Sequence, residues 1–191
     1  MKIFLKLILI SLALLVSNTH ARIGLGTRCP TSPLIPDFDL NRYSGKWYDI
    51  ESIFRRESKC VTAEYAVKEN NRISVKNTGI NINTGEIRTG EGEGFIPNTN
   101  EPNKLIVRLN QDSIFSFLSE GNYHIWKTDY DNYALVYSCK IYFGFIRFDA
   151  IWLLSRTKSL TEEKTTELKK LLTDNGVNIN GFVKAEQNCN N

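Results

Sequence analysis

The sequence predicts an all-β fold, an eight-stranded antiparallel up-and-down barrel with one C-terminal α-helix packed outside it. Residues 45–156 consist of short runs rich in Val, Ile, Tyr, Phe and Thr, separated by clusters of Gly, Asn and Asp. Such spacing is typical of β-barrels and β-sandwiches. Because the connections are short, sequential strands are expected to be antiparallel neighbours. A meander of eight strands removes its exposed edges by closing on itself.

Eight runs of the chain are predicted as strands. They cover residues 46–55, 60–68, 72–80, 86–96, 104–109, 122–128, 133–141 and 147–155. Asn70 and Asn71 form the turn between the second and third strands, and Gly85 belongs to the next turn, where positive φ is tolerated. Alternate residues of a strand face opposite sides of the sheet, so these boundaries predict which side chains point into the barrel.

One helix is predicted after the last strand, over residues 161–174. Ser159 and Glu162 match a capping box at its start. A narrow leucine stripe begins at Leu168, and Gly176 stands where the helix is expected to end. Because the apolar face is narrow, we expect this helix to lie against the outer wall of the barrel.

Residues 1–21 are predicted to be a secretory signal peptide. A basic residue, Lys2, precedes an apolar run over residues 7–16, and small residues lead to a cleavage position after Ala21. A membrane-spanning helix needs about 20 apolar residues, and this run is too short. We therefore expect a secreted, extracellular protein with a single domain over residues 22–191.

The charge of the predicted secreted domain is close to neutral. The formal net charge of the whole chain is +3, and residues 1–21 contribute two lysines and no acidic residue, which leaves +1. Nucleic-acid binding depends on many phosphate contacts from Lys and Arg. The sequence therefore argues against a nucleic-acid partner. It does not determine the oligomeric state, for which a monomer is favoured.

The cysteine and histidine content limits the chemistry of the domain. Four cysteines, Cys29, Cys60, Cys139 and Cys189, lie in a compartment expected to be oxidising, so two disulfides are predicted, with three possible pairings. His124 is the one histidine left after signal removal, so neither a metal site nor a required cofactor is expected. One imidazole and no spare thiol also argue against an enzyme.

Three short motifs occur in order along the chain. They are Asn41-Arg42-Tyr43-Ser44-Gly45-Lys46-Trp47-Tyr48, Thr128-Asp129-Tyr130, and Trp152-Leu153-Leu154-Ser155-Arg156. Together they resemble the sequence motifs of the lipocalin family. The regions around Cys29-Pro30, Asp37-Phe38-Asp39 and Tyr133 to Cys139 are most similar to its apolipoprotein D and insect bilin-binding branch. The resemblance implies the disulfides Cys29–Cys139 and Cys60–Cys189.

The strand directions bring these motifs to one end of the barrel. The residues expected there are Gly45, Trp47, Thr128, Asp129, Tyr130 and Arg156. An arginine can stack on an indole ring and donate hydrogen bonds to nearby carbonyl groups. We interpret this group as the structural closure of the barrel and not as ligand contacts.

The interior of the barrel is the expected binding site, because eight strands enclose room for one small ligand. Alternation along the strands predicts six lining residues: Tyr65, Val67, Val75, Asn77, Phe148 and Trp152. Asn77 and Tyr65 match pocket positions of the branch named above and would place polar groups in an apolar cavity. The facing of Asp49 and Glu51 stays open, since two buried carboxylates need a bulge, a partner or a polar layer.

The open end combines basic and aromatic loop residues. They are Arg55, Arg56, Phe115, Phe117, Phe143 and Phe145. Apolar patches of this kind usually mark interaction sites. Two interpretations remain open: a lid over the cavity, or a surface that contacts a membrane or lipoprotein.

The function expected from the sequence is that of a secreted carrier of a small hydrophobic ligand such as a bilin, sterol, retinoid or fatty-acid-like lipid. The alternative is a secreted protein-binding lipocalin, an inhibitor or surface ligand that acts through its loops. Haem binding through His124 is a less favoured variant.

Overall fold

Eight antiparallel strands form a closed barrel in the computed structural model, which describes residues 22–53, 57–110 and 120–189. The strands are β1 (Arg22–Leu25), β2 (Gly45–Ser52), β3 (Ser58–Lys68), β4 (Arg72–Asn81), β5 (Ile87–Phe95), β6 (Lys104–Leu109), β7 (Glu120–Thr128), β8 (Tyr133–Tyr142), β9 (Ile146–Ser155) and β10 (Val183–Lys184). The helices are α1 (Leu40–Tyr43) and α2 (Glu162–Asp174). Since β2 pairs with both β3 and β9, the predicted barrel is confirmed. The predicted signal peptide lies outside the described residues.

Three short elements were not predicted. β1 pairs with the first part of β9, and β10 pairs with the end of β2. In α1, Asp39 is the N-cap and accepts hydrogen bonds from the backbone of Asn41 and Arg42. Elements this short carry no hydrophobic periodicity, so their sequences alone do not reveal them.

The apolar side chains form two groups on opposite sides of the barrel wall. The inner group includes Trp47, Ile73, Leu105 and Val136. The outer group lies between the wall and α2, where Leu168 and Leu172 are buried beside residues of β8 and β9. The helix therefore lies outside the barrel, as predicted.

The start of α2 differs from the prediction. Thr161 is the N-cap, and its side chain accepts a hydrogen bond from the backbone of Lys164. The predicted capping box of Ser159 and Glu162 is wrong because the helix begins after Thr161. The carbonyl of Ser159 instead accepts hydrogen bonds from the hydroxyls of Ser155, the last residue of β9, and Thr157, which hold Ser159 before the helix. Gly176 (φ 74°) follows the C-cap and ends the helix as expected.

Glu51 faces the helix instead of the barrel interior. The pairing of β2 with β9 shifts between Asp49 and Glu51, which is the sign of a β-bulge. The bulge leaves Asp49 on the cavity side and turns Glu51 outward, where its carboxylate lies 2.5 Å from the ammonium group of Lys169. The bulge and the ion pair together explain how both acidic side chains are accommodated.

Replacing Lys169 with Met should lower the free energy of unfolding by about 2 to 3 kcal/mol, because the carboxylate of Glu51 is only 2% exposed and would lose its cation. Chemical denaturation measures this change. The control is Lys170→Met, which removes a solvent-exposed pair with Asp174 and should cost less than about 1 kcal/mol. Equal effects of the two substitutions would contradict a stabilising role for the Glu51 pair.

The C-terminal segment 183–189 fills a gap between β2 and β3. These strands pair only between Gly45–Tyr48 and their partners, and toward the open end they separate. The side-chain amide of Gln187 lies in the gap and donates to the carbonyls of Asp49 (2.8 Å) and Val61 (2.9 Å). The Gln187 side chain thus replaces part of the backbone hydrogen bonding that β2 and β3 do not form with each other here.

Backbone hydrogen bonds and a disulfide hold the same segment. Ala185 donates to the carbonyl of Ile50, and Cys60 donates to that of Glu186. The disulfides are Cys60–Cys189 and Cys29–Cys139, the pairing that the sequence resemblance implies. Each bridge ties a terminal segment to the barrel wall.

Candidate ligand-binding site

Arg156 closes the end of the barrel where β2 begins. Its guanidinium carbon lies 3.7 Å from the centre of the Trp47 ring. The same group donates hydrogen bonds to the carbonyls of Arg42, Tyr43, Ser44, Lys46 and Tyr130. Gly45 has φ 92°, and a Cβ atom there would lie 3.3 Å from the guanidinium, so glycine suits this position in both respects.

The turn between β7 and β8 completes this closed end. Asp129 accepts hydrogen bonds from the backbone of Asn132 and Tyr133. Although burial opposes the effect, these bonds hold the pKa of Asp129 below its ordinary value. Thr128 accepts from the backbone of Tyr130, and the Tyr130 hydroxyl accepts from the backbone of Asp39. The predicted closed-end residues therefore lie together.

A cavity of about 440 Å³ lies inside the barrel, beyond the closed end. The described residues that line it are Asp49, Glu57, Ser58, Val61, Ala63, Tyr65, Val75, Asn77, Gly90, Val107, Leu109, Gly121, Asn122, Tyr123, Ser138, Trp152 and Leu154. The volume and the mixture of many apolar with a few polar groups are those of a pocket for a small molecule.

Three tyrosines form the layer between the cavity and the closed end. The hydroxyl of Tyr123 lies 2.8 Å from that of Tyr43 and 2.7 Å from that of Tyr65. The Tyr123 ring also lies 6.1 Å from the ring of Trp152, centre to centre. Burial raises the pKa of all three phenols, so each stays protonated at neutral pH. We call these three residues the tyrosine layer.

Comparison of the sequence with known proteins shows the family to which this fold and these motifs belong. Residues 38–187 match the family described as the Lipocalin-like domain. The chain belongs to this lipocalin family. It is 38% identical to apolipoprotein D of Cavia porcellus over 186 residues, which cover 96% of this chain and 95% of that protein.

Two further proteins extend the comparison. This lipocalin is 33% identical to the Lazarillo protein of Schistocerca americana over 190 residues, which cover 94% of this chain and 83% of that protein. It has the fold of insecticyanin from the tobacco hornworm Manduca sexta, with a TM-score of 0.70 at 22% identity, covering 87% of this chain and 89% of that one. The resemblance to the apolipoprotein D branch is therefore confirmed.

Four of the six predicted lining residues of this lipocalin reach the cavity: Tyr65, Val75, Asn77 and Trp152. Val67 does not, because it lies beyond Tyr65 toward the closed end and is 40% exposed. Phe148 lies near the open end and packs edge-to-face on Tyr142, with ring centres 5.0 Å apart. Alternation predicts the side of the wall that a residue faces but not its height along the barrel.

Gly90, Gly121 and Tyr123 also line the cavity of this lipocalin and were not predicted. Gly90 pairs with Asn77 and so faces the interior, and a Cβ atom there would meet no non-neighbouring atom within 4 Å. The missing side chain leaves space for a ligand. The alternation Gly90-Glu91-Gly92-Glu93-Gly94 is the signal in the sequence, since it places small residues on one face of β5.

His124 is on the wall but not in the cavity lining. Its Nδ1 atom lies 2.7 Å from the hydroxyl of Ser32, which also accepts a hydrogen bond from the indole of Trp126. Burial and, next, the charge of Lys104 lower the pKa of His124. Its placement gives no support to haem ligation within the cavity. Within the described ranges, no cluster of three or more His, Cys, Asp or Glu could hold a metal ion.

The open end of this lipocalin exposes apolar side chains. Phe143 is 85% exposed and Phe145 is 52% exposed in the connection between β8 and β9. Leu25, which is 86% exposed, lies next to them because it pairs with Ile146. The remaining predicted residues of this end, Arg55, Arg56, Phe115 and Phe117, lie outside the described residues. No helix in the described part of the chain is long and apolar enough to span a membrane.

Proposed function

We propose that this lipocalin is a secreted carrier that binds one small hydrophobic molecule in its barrel. The observation that supports this most directly is the cavity of about 440 Å³, whose lining combines apolar side chains with a few polar groups such as Asn77 and the Tyr65 hydroxyl. Bilins, sterols, retinoids and fatty-acid-like lipids are the proposed ligand classes. The two disulfides agree with an extracellular location.

Extraction of the natively purified protein with organic solvent, followed by mass spectrometry, tests this proposal. We expect one hydrophobic compound at close to one molecule per chain. Delipidated protein should then bind a retinoid or a fluorescent fatty acid with a change in tryptophan fluorescence, because Trp152 lines the cavity. A folded barrel that contains no ligand and binds none of the four classes would contradict the carrier function.

We also propose that the open end contacts a lipid surface during ligand transfer. Leu25, Phe143 and Phe145 form an exposed apolar group at the open end, where β1 pairs with the start of β9. Exposed apolar groups of this kind lose contact with water when they bind another surface. The alternative is contact with a protein, as in a lipocalin that acts through its loops.

Replacing Phe143 and Phe145 with Ser should reduce flotation with phosphatidylcholine vesicles by about tenfold or more, since two exposed rings no longer enter the lipid. Ligand affinity should not change. The matched control is Val67→Ser, which removes an exposed apolar side chain near the closed end. If the unaltered protein does not float at low or high salt, and ligand transfer is independent of lipid concentration, the lipid contact is wrong.

A further inference from the structure

The segment between α2 and β10 contains two Asn-Gly dipeptides, Asn175-Gly176 and Asn180-Gly181. These residues are all exposed, and both glycines have positive φ, 74° at Gly176 and 93° at Gly181. A Cβ atom added at either glycine would meet no non-neighbouring atom within 4 Å, so neither dipeptide is sterically blocked. The two dipeptides therefore match in sequence, exposure and surrounding space.

An Asn-Gly dipeptide converts to an aspartyl form without an enzyme when its reacting groups are free to meet. The backbone nitrogen of the glycine attacks the side-chain Cγ of the asparagine. The new N–Cγ bond forms, the Cγ–Nδ2 bond breaks, and the amide proton of the glycine leaves with Nδ2 as ammonia. Water then opens the cyclic imide at either carbonyl, which gives aspartate or isoaspartate. Glycine favours the reaction because it has no side chain to obstruct the attack.

Hydrogen bonds hold both reacting groups of Asn175-Gly176. The Asn175 side-chain amide donates to the carbonyl of Leu171 at 2.8 Å, and the Gly176 backbone amide donates to that of Thr173 at 3.0 Å. The attack must break both bonds, because the glycine nitrogen has to reach the side chain and the side-chain amide has to leave. Asn175 is also the C-cap of α2, so the helix end fixes its backbone.

The reacting groups of Asn180-Gly181 have no such restraint. Within the part of the chain that the structure describes, neither the Asn180 side chain nor the Gly181 backbone amide forms a hydrogen bond. The backbone amide of Asn180 donates to the side-chain oxygen of Asn178 at 2.9 Å. That nitrogen is not an atom of the imide ring, so this hydrogen bond opposes neither the attack nor the loss of ammonia.

We infer that Asn180 is a deamidation site of the folded protein and that its neighbour Asn175 is protected. The modified form carries an added negative charge at position 180 and, as isoaspartate, one added backbone carbon. The change lies between two fixed positions: Val177 is buried and donates a backbone hydrogen bond to the last turn of α2, and Val183 pairs with Ser52. The barrel should therefore stay folded while the modified form accumulates with time.

Peptide mapping of the folded, disulfide-bonded protein compares the two sites directly. Trypsin releases residues 171–184 as one peptide, so fragment-ion masses give the conversion of both asparagines in the same molecule. During incubation in mildly alkaline buffer, Asn180 should convert about tenfold faster than Asn175, since two hydrogen bonds must break at the protected site. Asn178 is an internal reference that should stay intact, because the branched side chain of Ile179 obstructs the attack.

The same incubation in urea separates the effect of the structure from that of the sequence. In the unfolded chain Asn175 loses its protection, so the two sites should convert at similar rates. Asn180 should convert about as fast in urea as in the folded protein. An unincubated sample of each kind corrects for conversion during the digestion.

Two matched variants give a second readout. Isoelectric focusing of aged protein should show a more acidic form, because deamidation replaces a neutral amide with a carboxylate. Asn180→Gln should abolish this form, since the longer side chain closes a larger ring much more slowly. Asn175→Gln should retain it. Both positions are exposed, so neither substitution changes the packed core.

Three results would overturn the inference. One is equal conversion of the two sites in the folded protein. Another is a rate ratio that stays the same in urea, because the difference would then come from the neighbouring residues and not from the hydrogen bonds. The third is an Asn180 that stays intact in the folded protein while the unfolded chain converts, which would show that the folded turn protects this site as well.

Discussion

Replacing Trp47 with Ala is expected to lower the free energy of unfolding by about 3 to 5 kcal/mol, because a fully buried aromatic ring is lost from the closed end. Arg156→Ala should have a comparable effect. It removes a hydrogen-bond donor from the carbonyls of five residues, of which that of Tyr43 keeps the bond from the Trp47 indole, and it removes the cation stacked on Trp47. Both effects should be larger than any effect on ligand affinity.

Urea denaturation and ligand titration measure the two quantities on the same variants. The control is Lys170→Ala, since the Lys170 side chain lies at the surface of α2, pairs with Asp174 and should contribute less than about 1 kcal/mol. If a variant of Trp47 or Arg156 kept its stability and lost the ligand, the assignment to structural closure would be wrong. These residues would then belong to the binding site.

Gly90→Phe should reduce ligand affinity by about 100-fold or more while the barrel stays folded. The position faces the cavity, and a Cβ atom there meets no non-neighbouring atom within 4 Å, so the ring would occupy the space that a ligand needs. Phenylalanine also favours strand conformation more than glycine does. Stability should therefore be equal or higher.

The matched control for this substitution is Glu91→Phe. Glu91 is the next residue of β5 and faces the outside, so the same ring added there should leave affinity unchanged. Titration with the extracted ligand and a thermal melt of each variant distinguish the two faces. Undiminished binding by Gly90→Phe would show that the ligand does not occupy this cavity.

Local patterns were sufficient to predict the barrel wall. The strand β6 coincides with the predicted run 104–109, because its own residues are mostly apolar and polar residues stand directly on either side of it, Asn103 before and Asn110-Gln111-Asp112 after. A bulge in β2 and a charged partner were two of the three arrangements that the sequence left open for Asp49 and Glu51. The sequence could not choose among them, because the partner of Glu51 is Lys169, a helix residue far away in sequence. Alternation alone would have placed this carboxylate inside the barrel.

The candidate site was predicted less completely than the fold. Tyr65 and Asn77 were found because they match pocket positions of related proteins and because strand alternation applies to them. The tyrosine layer was missed because it joins α1, β3 and β7, and Tyr43 lies in a four-residue helix with no periodic pattern. Contacts between elements that are far apart in sequence depend on the tertiary structure, so the local pattern of one segment does not predict them.

The gap between β2 and β3 has a consequence for folding kinetics. The hydrogen bonds that Gln187 forms across it join residues 126 and 138 positions apart in sequence. Contacts between such distant residues form slowly, because a long loop must close before they are made. The region where the C-terminal segment lies between β2 and β3 should therefore be the last part of the barrel wall to form. When the reduced, unfolded chain refolds, so that the Cys60–Cys189 disulfide does not already hold Gln187 beside β3, ligand binding should recover with the slowest phase, after most strand content is present.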